Sequence, residues 1–430
     1  MAWGTLEMPT LTELAEEALA HARRLDAYTA AQGLPPVSLA DDTLTSAQLP
    51  ADLETARSAL VDSAQMMKRL AQGPLGNMTE ILYSFTDIIS LQAVHTYDLP
   101  AQVPESGTAS YADIARAVSL PESICRRLMV HAMENGIFEE VEGCVKHSAF
   151  SRMLAVDRES MQAVGMVLME LLPAGHRTLD ALTRFPGSQK PTETGFNLAN
   201  DTPLPLYKFL SQHPERLARF GMGMKFFSRA DGFDLKFLAM GFPWREIDRE
   251  DAVVVDCGGG VGTVSRHLAT ATEKLQFVVQ DMAGPVALGR DTLPVELQGR
   301  VRFEEADFFT PQKLIGANVY FFRWILHNWS DAYCVRILRN LVPAMHAHSK
   351  VVIYEYILAE QPELKWSRKQ GRNLDLVMMA GWNAEERSLS QLRQLFAQAD
   401  ERFELEGSWQ PEGSTMTAVS FGWKGTKKDE

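Results

Sequence analysis

The feature that most constrains this chain is a change of hydrophobic period near residue 250. Downstream lie apolar or β-branched runs, VVVD at 253–256, QFVVQ at 276–280, NVYFF at 318–322 and KVVIYEY at 350–356. Helical stretches at 262–271, 331–345 and 388–399 alternate with them. Unbroken apolar runs suit strands buried on both faces, and alternation with helices predicts a parallel sheet covered on both sides. Two last runs, FELEGSW at 403–409 and MTAVSFGW at 416–423, are joined across PEGST and predict a terminal antiparallel hairpin. A plain dinucleotide-binding fold does not require that hairpin. The expected class is thus α/β, doubly wound, with the hairpin appended.

The first half reads differently. Apolar positions at helical spacing predict helices over 10–30, 52–73 and 76–97, followed by a Pro/Gly/Ser-rich connector at 99–108. The segment 110–148 predicts a short helix, a turn at Leu120–Pro121, a second helix to about Asn135, then Gly136 and two short strands: a winged helix-turn-helix. Further helices are expected over 159–173 and 206–223. Such a wing serves either as a dimerisation scaffold or as a DNA reader. A net charge of -13 favours the scaffold, because a phosphate backbone wants a basic surface. Arg126 and Arg127 alone do not supply one.

With 430 residues, 46 % apolar and 23 % charged, the chain has the length for two domains and an ordinary globular composition. Its first twenty residues lack a basic segment leading into an apolar block and do not read as a secretory signal. The apolar stretch AVGMVLMELL at 163–172 is interrupted by Glu170 and is too short to span a bilayer. Cys125, Cys144, Cys257 and Cys334 form no CxxC pair, so reduced thiols, no metal cluster and a cytoplasmic location are expected.

The chemistry gathers at the ends of the expected strands. The first strand runs into Asp256 and the cluster Gly258, Gly259 and Gly260, where glycines let backbone amides approach a ligand at a helix start. A dinucleotide fingerprint wants a glycine at its sixth position, and Thr263 stands there instead, which weakens an NAD-dependent reading. Asp281 closes the second strand, where a carboxylate can receive both ribose hydroxyls. Asp307 closes the third, where it can face an adenine amine. His327 follows the fourth, placed to accept a proton with its ordinary pKa near 6.5.

Taken together, GGGVG, QDM at 280–282, ADFF at 306–309, FFRWILHNWSD at 321–331, VVIYEYIL at 351–358 and AEERSLSQLRQLF at 384–396 resemble the plant- and fungal-type small-molecule O-methyltransferases. That family joins a winged-helix dimerisation domain to a seven-stranded class I methyltransferase domain. The resemblance spans about residue 75 to the end, and the first 70 or so residues resemble the helical extension of the fungal members. It implies a helical extension over 1–74, a winged-helix dimerisation domain over 75–200, a methyltransferase domain over 201–430, and an intertwined homodimer. It also implies S-adenosylmethionine as cofactor, with Asp281 on the ribose, Met282, Asp307 and Phe308 around the adenine, Arg323 and Trp324 beside it, and the glycine loop around the amino-acid portion.

For chemistry the resemblance implies His327 as general base flanked by Glu355 and Glu386, with Glu385 the alternative if the register slips by one. Plant members usually have lysine where Arg323 stands and commonly have aspartate where Asn328 stands, so this chain keeps the base but changes the polarity beside it. Met224, Phe226, Asn328, Met378 and Asn383 are the expected acceptor-pocket residues, suited to a planar phenolic or polyketide secondary metabolite. Two rival readings differ in class. One is a relative that keeps S-adenosylmethionine bound but catalyses a pericyclic or dehydration step without methyl transfer; the other is a winged-helix DNA-binding regulator.

Overall fold

The computed structural model describes residues 9–40, 43–46, 49–229 and 231–425. Its contacts divide the chain into two compact units. One holds the residues up to Glu170 with His213–Phe227 and Leu364–Ser367; the other holds Leu171–Gln212, Ser228–Glu363 and Arg368 onward.

In the first unit, helix α1 (Leu11–Ala31) begins where Thr10 and Glu13 cap one another's backbone amides, which satisfies donors that a helix start leaves open. Its apolar stripe, ending at Leu25, packs on Leu49 and Leu53 at the start of α2 (Ala51–Thr96). The helices expected over 52–73 and 76–97 form one run broken at Gly73, whose φ of 63° precedes Pro74. There the carbonyls of Arg69 and Gly73 are taken by the side-chain amide of Asn77. The winged element follows as expected: a helix at Tyr111–Ala117, α3 (Glu122–Glu134), and a three-stranded sheet made by Ala109–Ser110, Glu139–Val141 and Cys144–Lys146. Tyr111, Ile114, Cys125, Met129, Phe138 and Val145 form its core. Arg126 lies over the Tyr111 ring and pairs with Glu140, so this arginine is committed to an acidic wing.

A turn of π-helix at Val167–Leu171 carries Glu170, which is fully buried. Arg216 grips that carboxylate with two hydrogen bonds of 3.0 and 2.5 Å, and Arg219 adds one of 2.9 Å. Both arginines lie on α4 (Pro214–Ser228), the helix that also carries Met224 and Phe226. Among the described residues no helix is long and apolar enough to cross a membrane.

The second unit is built on seven strands: β1 (Val253–Cys257), β2 (Gln276–Asp281), β3 (Val301–Glu305), β4 (Val319–Arg323), β5 (Lys350–Glu355), β6 (Phe403–Trp409) and β7 (Thr417–Trp423). They lie in the order β6-β7-β5-β4-β1-β2-β3, parallel except for the antiparallel β7, which pairs with both β5 and β6. Successive side chains point to opposite faces. Val255, Val278, Tyr320, Phe322 and Ile353 enter one core, which contains α6 (Asp331–Leu341) and α8 (Leu389–Ala399). Val254, Phe277, Val279, Phe321 and Val352 enter the other, with α5 (Thr263–Ala271). That two-sided burial is why the strands read as continuous apolar runs. Strand order reverses between β1 and β4, so their carboxyl ends flank the crevice where open α/β sheets bind ligands.

Candidate active site

The turn after β4 carries the central histidine. Trp324 takes φ 54°, a left-handed conformation that costs a non-glycine residue about 1–3 kcal/mol and persists only where neighbours enforce it. Glu355, at the end of β5, supplies part of that enforcement. Its Oε1 accepts the backbone N–H groups of Ile325, Leu326 and His327 at 3.1, 2.8 and 3.2 Å. Glu355 is one of the two glutamates expected to flank His327, and its hydrogen bonds go to the backbone of the turn that presents the ring. Asn328 closes the same turn, donating from its amide to the Trp324 carbonyl at 2.7 Å.

Glu386 is the residue that meets the ring. Its Oε1 lies 2.7 Å from His327 Nδ1, and both side chains are buried. Glu385, the neighbouring alternative, lies 3.6 Å from the Arg387 guanidinium instead. Burial alone pulls the imidazole pKa down, but the hydrogen bond and charge of Glu386, helped by the charge of Glu355, outweigh it. His327 is therefore held above its ordinary value, with Arg387 opposing. Burial pushes the Glu355 carboxyl up, and the facing His327 works against that shift. The Glu386 loop is fixed in turn by Asp375 on α7 (Trp366–Trp382), whose Oδ1 accepts the Glu386 amide at 3.0 Å.

At the end of β1 the chain turns through Gly258, Gly260 and Gly262, with φ angles of 76°, 59° and 80° that favour glycine. The N–H groups of Gly258 and Gly259 donate to the Gln280 carbonyl, and that of Gly260 donates to Asp281 Oδ2 at 2.8 Å. Asp281 Oδ1 also takes the Met282 amide, while the Met282 side chain stays exposed. Asp256 is buried beneath the loop. A side chain at Gly259 would lie 2.5 Å from its carboxyl carbon, and Ser265 of α5 donates to its Oδ2 at 2.7 Å. Burial pushes this carboxyl up to about 6, against the pull of Ser265 and the charge of Arg323. Asp256 thus sits under the glycines as a loop anchor. A side chain at Gly258 would collide with Ile325 at 2.5 Å, whereas one at Gly260 meets nothing within 4 Å.

Asp307 lies two residues past β3, exposed, with Oδ1 accepting the Phe309 amide at 2.8 Å. Phe308 packs edge-on against Phe309 and Trp329. The Arg323 guanidinium lies 4.2 Å over the Trp324 ring, and its Nε is buried with no hydrogen-bond partner among the described residues. Met378 is buried on α7, and the Asn383 amide is committed to the carbonyls of Ser188 and Lys190 at 2.8 and 3.2 Å. Met224 and Phe226 belong to the first unit, half-buried on α4. Sequence reasoning missed Arg387, Asp331 and Asp375. Arg387 is 3 % exposed and lies under the histidine turn.

The fold and this constellation define a class, and comparison with known proteins agrees with it. The O-methyltransferase domain signature matches residues 249–401. O-methyltransferase AMT9 of Alternaria alternata is 33 % identical over 97 % of this chain and 99 % of its own length. Chlorophenol O-methyltransferase of Trichoderma longibrachiatum is 31 % identical over 95 % of this chain and 89 % of its own. The chain belongs to the S-adenosylmethionine-dependent O-methyltransferase family of plant- and fungal-type small-molecule enzymes. Among solved structures OxaC shares the fold, with TM-score 0.76 at 20 % identity over 96 % of this chain and 99 % of OxaC. So does a protein described as a pericyclic reaction enzyme, with TM-score 0.72 at 21 % identity over 95 % of this chain and 100 % of that one.

Proposed function

We propose that this chain transfers the methyl group of S-adenosylmethionine to a hydroxyl of an aromatic small molecule, phenolic or polyketide, with His327 as general base. The observation that carries this reading is the buried His327–Glu386 hydrogen bond at the carboxyl edge of the sheet, one turn beyond β4. A carboxylate only accepts, so Nδ1 carries the proton and Nε2 keeps its lone pair for the acceptor hydroxyl. A phenol has a pKa of about 10, and removing its proton during transfer makes the oxygen a far better nucleophile. Glu386 stabilises the imidazolium that results, while Glu355 fixes the backbone that presents it.

When bound, S-adenosylmethionine supplies an electrophilic methyl group for in-line displacement by the acceptor oxygen. The residues present fit it. The loop of Gly258, Gly259 and Gly260 has an open flank at Gly260, where a side chain would meet no neighbour. Asp281 keeps lone pairs for the ribose hydroxyls, since each oxygen accepts one amide. Met282, Asp307 and Phe308 would bound the adenine, and the Nε of Arg323 beside Trp324, unpartnered among the described residues, is a donor that bound ligand can engage. Asp256 supports the loop from below. On the acceptor side, Asn328, Met378 and Asn383 are assigned to the pocket, and the buried Glu386 Oε2, without a partner among the described residues, is free to take a donor from the substrate or a water. The description of the Trichoderma relative as a chlorophenol enzyme supports a phenolic acceptor.

The three parts 1–74, 75–200 and 201–430 are assigned as extension, dimerisation domain and methyltransferase domain of a cytoplasmic homodimer. Beyond the bend in α2, Leu75, Met78, Ile81, Leu82, Phe85 and Ile89 recur at helical spacing and are all exposed, Ile81 at 74 %. An apolar stripe of this kind marks an interaction surface. Turnover of methyl-labelled S-adenosylmethionine against a panel of phenols and hydroxylated polycyclic aromatics, read by mass spectrometry, tests the activity. Label in the product supports the reading. Rearranged or dehydrated product without label would replace it with the non-methylating alternative.

A further inference from the structure

The histidine turn is gripped through its amides by one charge and through its carbonyls by the opposite one. Glu355 takes the three amides. On the other side Arg387 donates from Nη1 to the Leu326 carbonyl at 3.1 Å and from Nη2 to the Trp329 carbonyl at 2.9 Å. Its Nε and Nη2 also pair with Asp331 Oδ1 at 3.0 and 2.8 Å, and Nη1 reaches the Glu385 carbonyl at 3.3 Å. The Cys334 thiol lies 3.2 and 3.3 Å from the same carbonyls of Leu326 and Trp329. A planar guanidinium can bridge two carbonyls and a carboxylate at once, which a lysine ammonium cannot reproduce. Arg387 directly follows Glu386 in the chain, so one short segment fixes both the orientation of the ring and the height of the backbone that carries it.

We propose that Arg387, with Asp331 as its counter-ion, is a positioning residue for methyl transfer: its grip on the Leu326 and Trp329 carbonyls sets where His327 Nε2 stands against the acceptor oxygen. This rests on the reading of His327 as the base. A displacement of about 1 Å in a reacting group can cost roughly 100-fold in rate, so the clamp has leverage without touching substrate.

The test uses R387Q, R387K and D331N in the full chain, with three readouts: methyl transfer across pH at saturating donor, calorimetric binding of S-adenosylhomocysteine, and NMR titration of ring-labelled histidine. In R387Q, kcat falls on the order of 100-fold while KM and S-adenosylhomocysteine binding hold. R387K recovers only a small part, and D331N falls between. Glu386 and Glu355 favour the protonated His327 and Arg387 opposes it, so losing the guanidinium moves both the rising limb of kcat and the His327 NMR midpoint to higher pH. A lower melting temperature with kcat per folded molecule and the His327 midpoint both unchanged would overturn the proposal, because it marks a purely structural arginine. If R387Q does not fold, D331N carries the same comparison, since Asp331 is 44 % exposed. Wild-type protein that binds S-adenosylhomocysteine but methylates nothing refutes the base reading instead, and the NMR midpoint in R387Q then decides Arg387 separately.

Discussion

Gly258 and Gly260 both carry positive φ, 76° and 59°, yet alanine at the two positions is expected to fail in different ways. At either site an L side chain in the left-handed region costs roughly 1–2 kcal/mol, offset by about 0.4–1 kcal/mol from the stiffer unfolded chain. For Gly260→Ala that is the whole stability cost, about 1 kcal/mol, because the new methyl meets nothing within 4 Å. For Gly258→Ala the methyl stands 2.5 Å from Ile325 Cδ1 and 3.2 Å from Cγ1, and overpacking adds about 1–3 kcal/mol. The expected sums, about 1 against about 2–4 kcal/mol, correspond to melting shifts of roughly 2–4 °C and 4–16 °C for a domain of this size. Function should show the opposite order at position 260. The methyl that meets no protein atom occupies the open flank assigned to the donor, so Gly260→Ala should lose S-adenosylhomocysteine affinity at least tenfold despite its milder effect on stability. Differential scanning calorimetry and isothermal titration calorimetry read the two quantities. Equal melting shifts, or wild-type donor affinity in Gly260→Ala, would refute this account of the loop.

Two further substitutions probe the buried acids through pH. Glu386→Gln removes the main group holding the His327 pKa up, so the rising limb of kcat should move to lower pH while kcat falls on the order of 100-fold. The linked stability has a definite sign: the raised imidazole stabilises the wild type fully below its ordinary pKa near 6.5 and ceases to as pH rises through the higher folded value. Between about pH 6.5 and that value, wild-type stability should therefore fall with rising pH in melting curves, and the variant should lack this fall. Asp256→Asn behaves differently, because a carboxyl raised to about 6 makes its own ionisation unfavourable in the fold. Wild-type stability should decline between about pH 4 and pH 6 by up to roughly 3 kcal/mol, and the asparagine variant, which can still accept from Ser265, should lack that decline. The proposed homodimer is tested by Leu82→Glu on the exposed stripe of α2: light scattering should give a dimer for the wild type and a monomer for the variant.

The strands and the glycine turn were legible because their physics is local and repetitive. Two-sided burial leaves VVVD and QFVVQ as unbroken runs, and the glycines mark a turn whose φ angles other residues resist. β3 was less plain: as the edge strand it buries only one face, so VRFEE alternates and reads weakly. His327 and Glu386 could be nominated from their strand-end position and family motif, and the hydrogen bond then distinguishes Glu386 from Glu385. What the sequence did not disclose is where polar groups turn once the loops close. Glu355 at a strand end gives no sign that it binds amides, and Asn383 none that its amide reaches the 188–190 loop. Arg387 beside two glutamates reads as a solvated charge. Only folding of the 384–388 segment beneath the turn buries it and gives it three carbonyls.

The most direct measurement of the central claim is the single-turnover rate of methyl transfer to an accepted phenol by wild type and His327→Ala, at matched occupancy of donor and acceptor. With the base removed and the binding loop intact, the rate should be about 10²–10⁴-fold lower, with S-adenosylhomocysteine affinity unchanged. A His327→Ala protein that transfers methyl at the wild-type rate would contradict it.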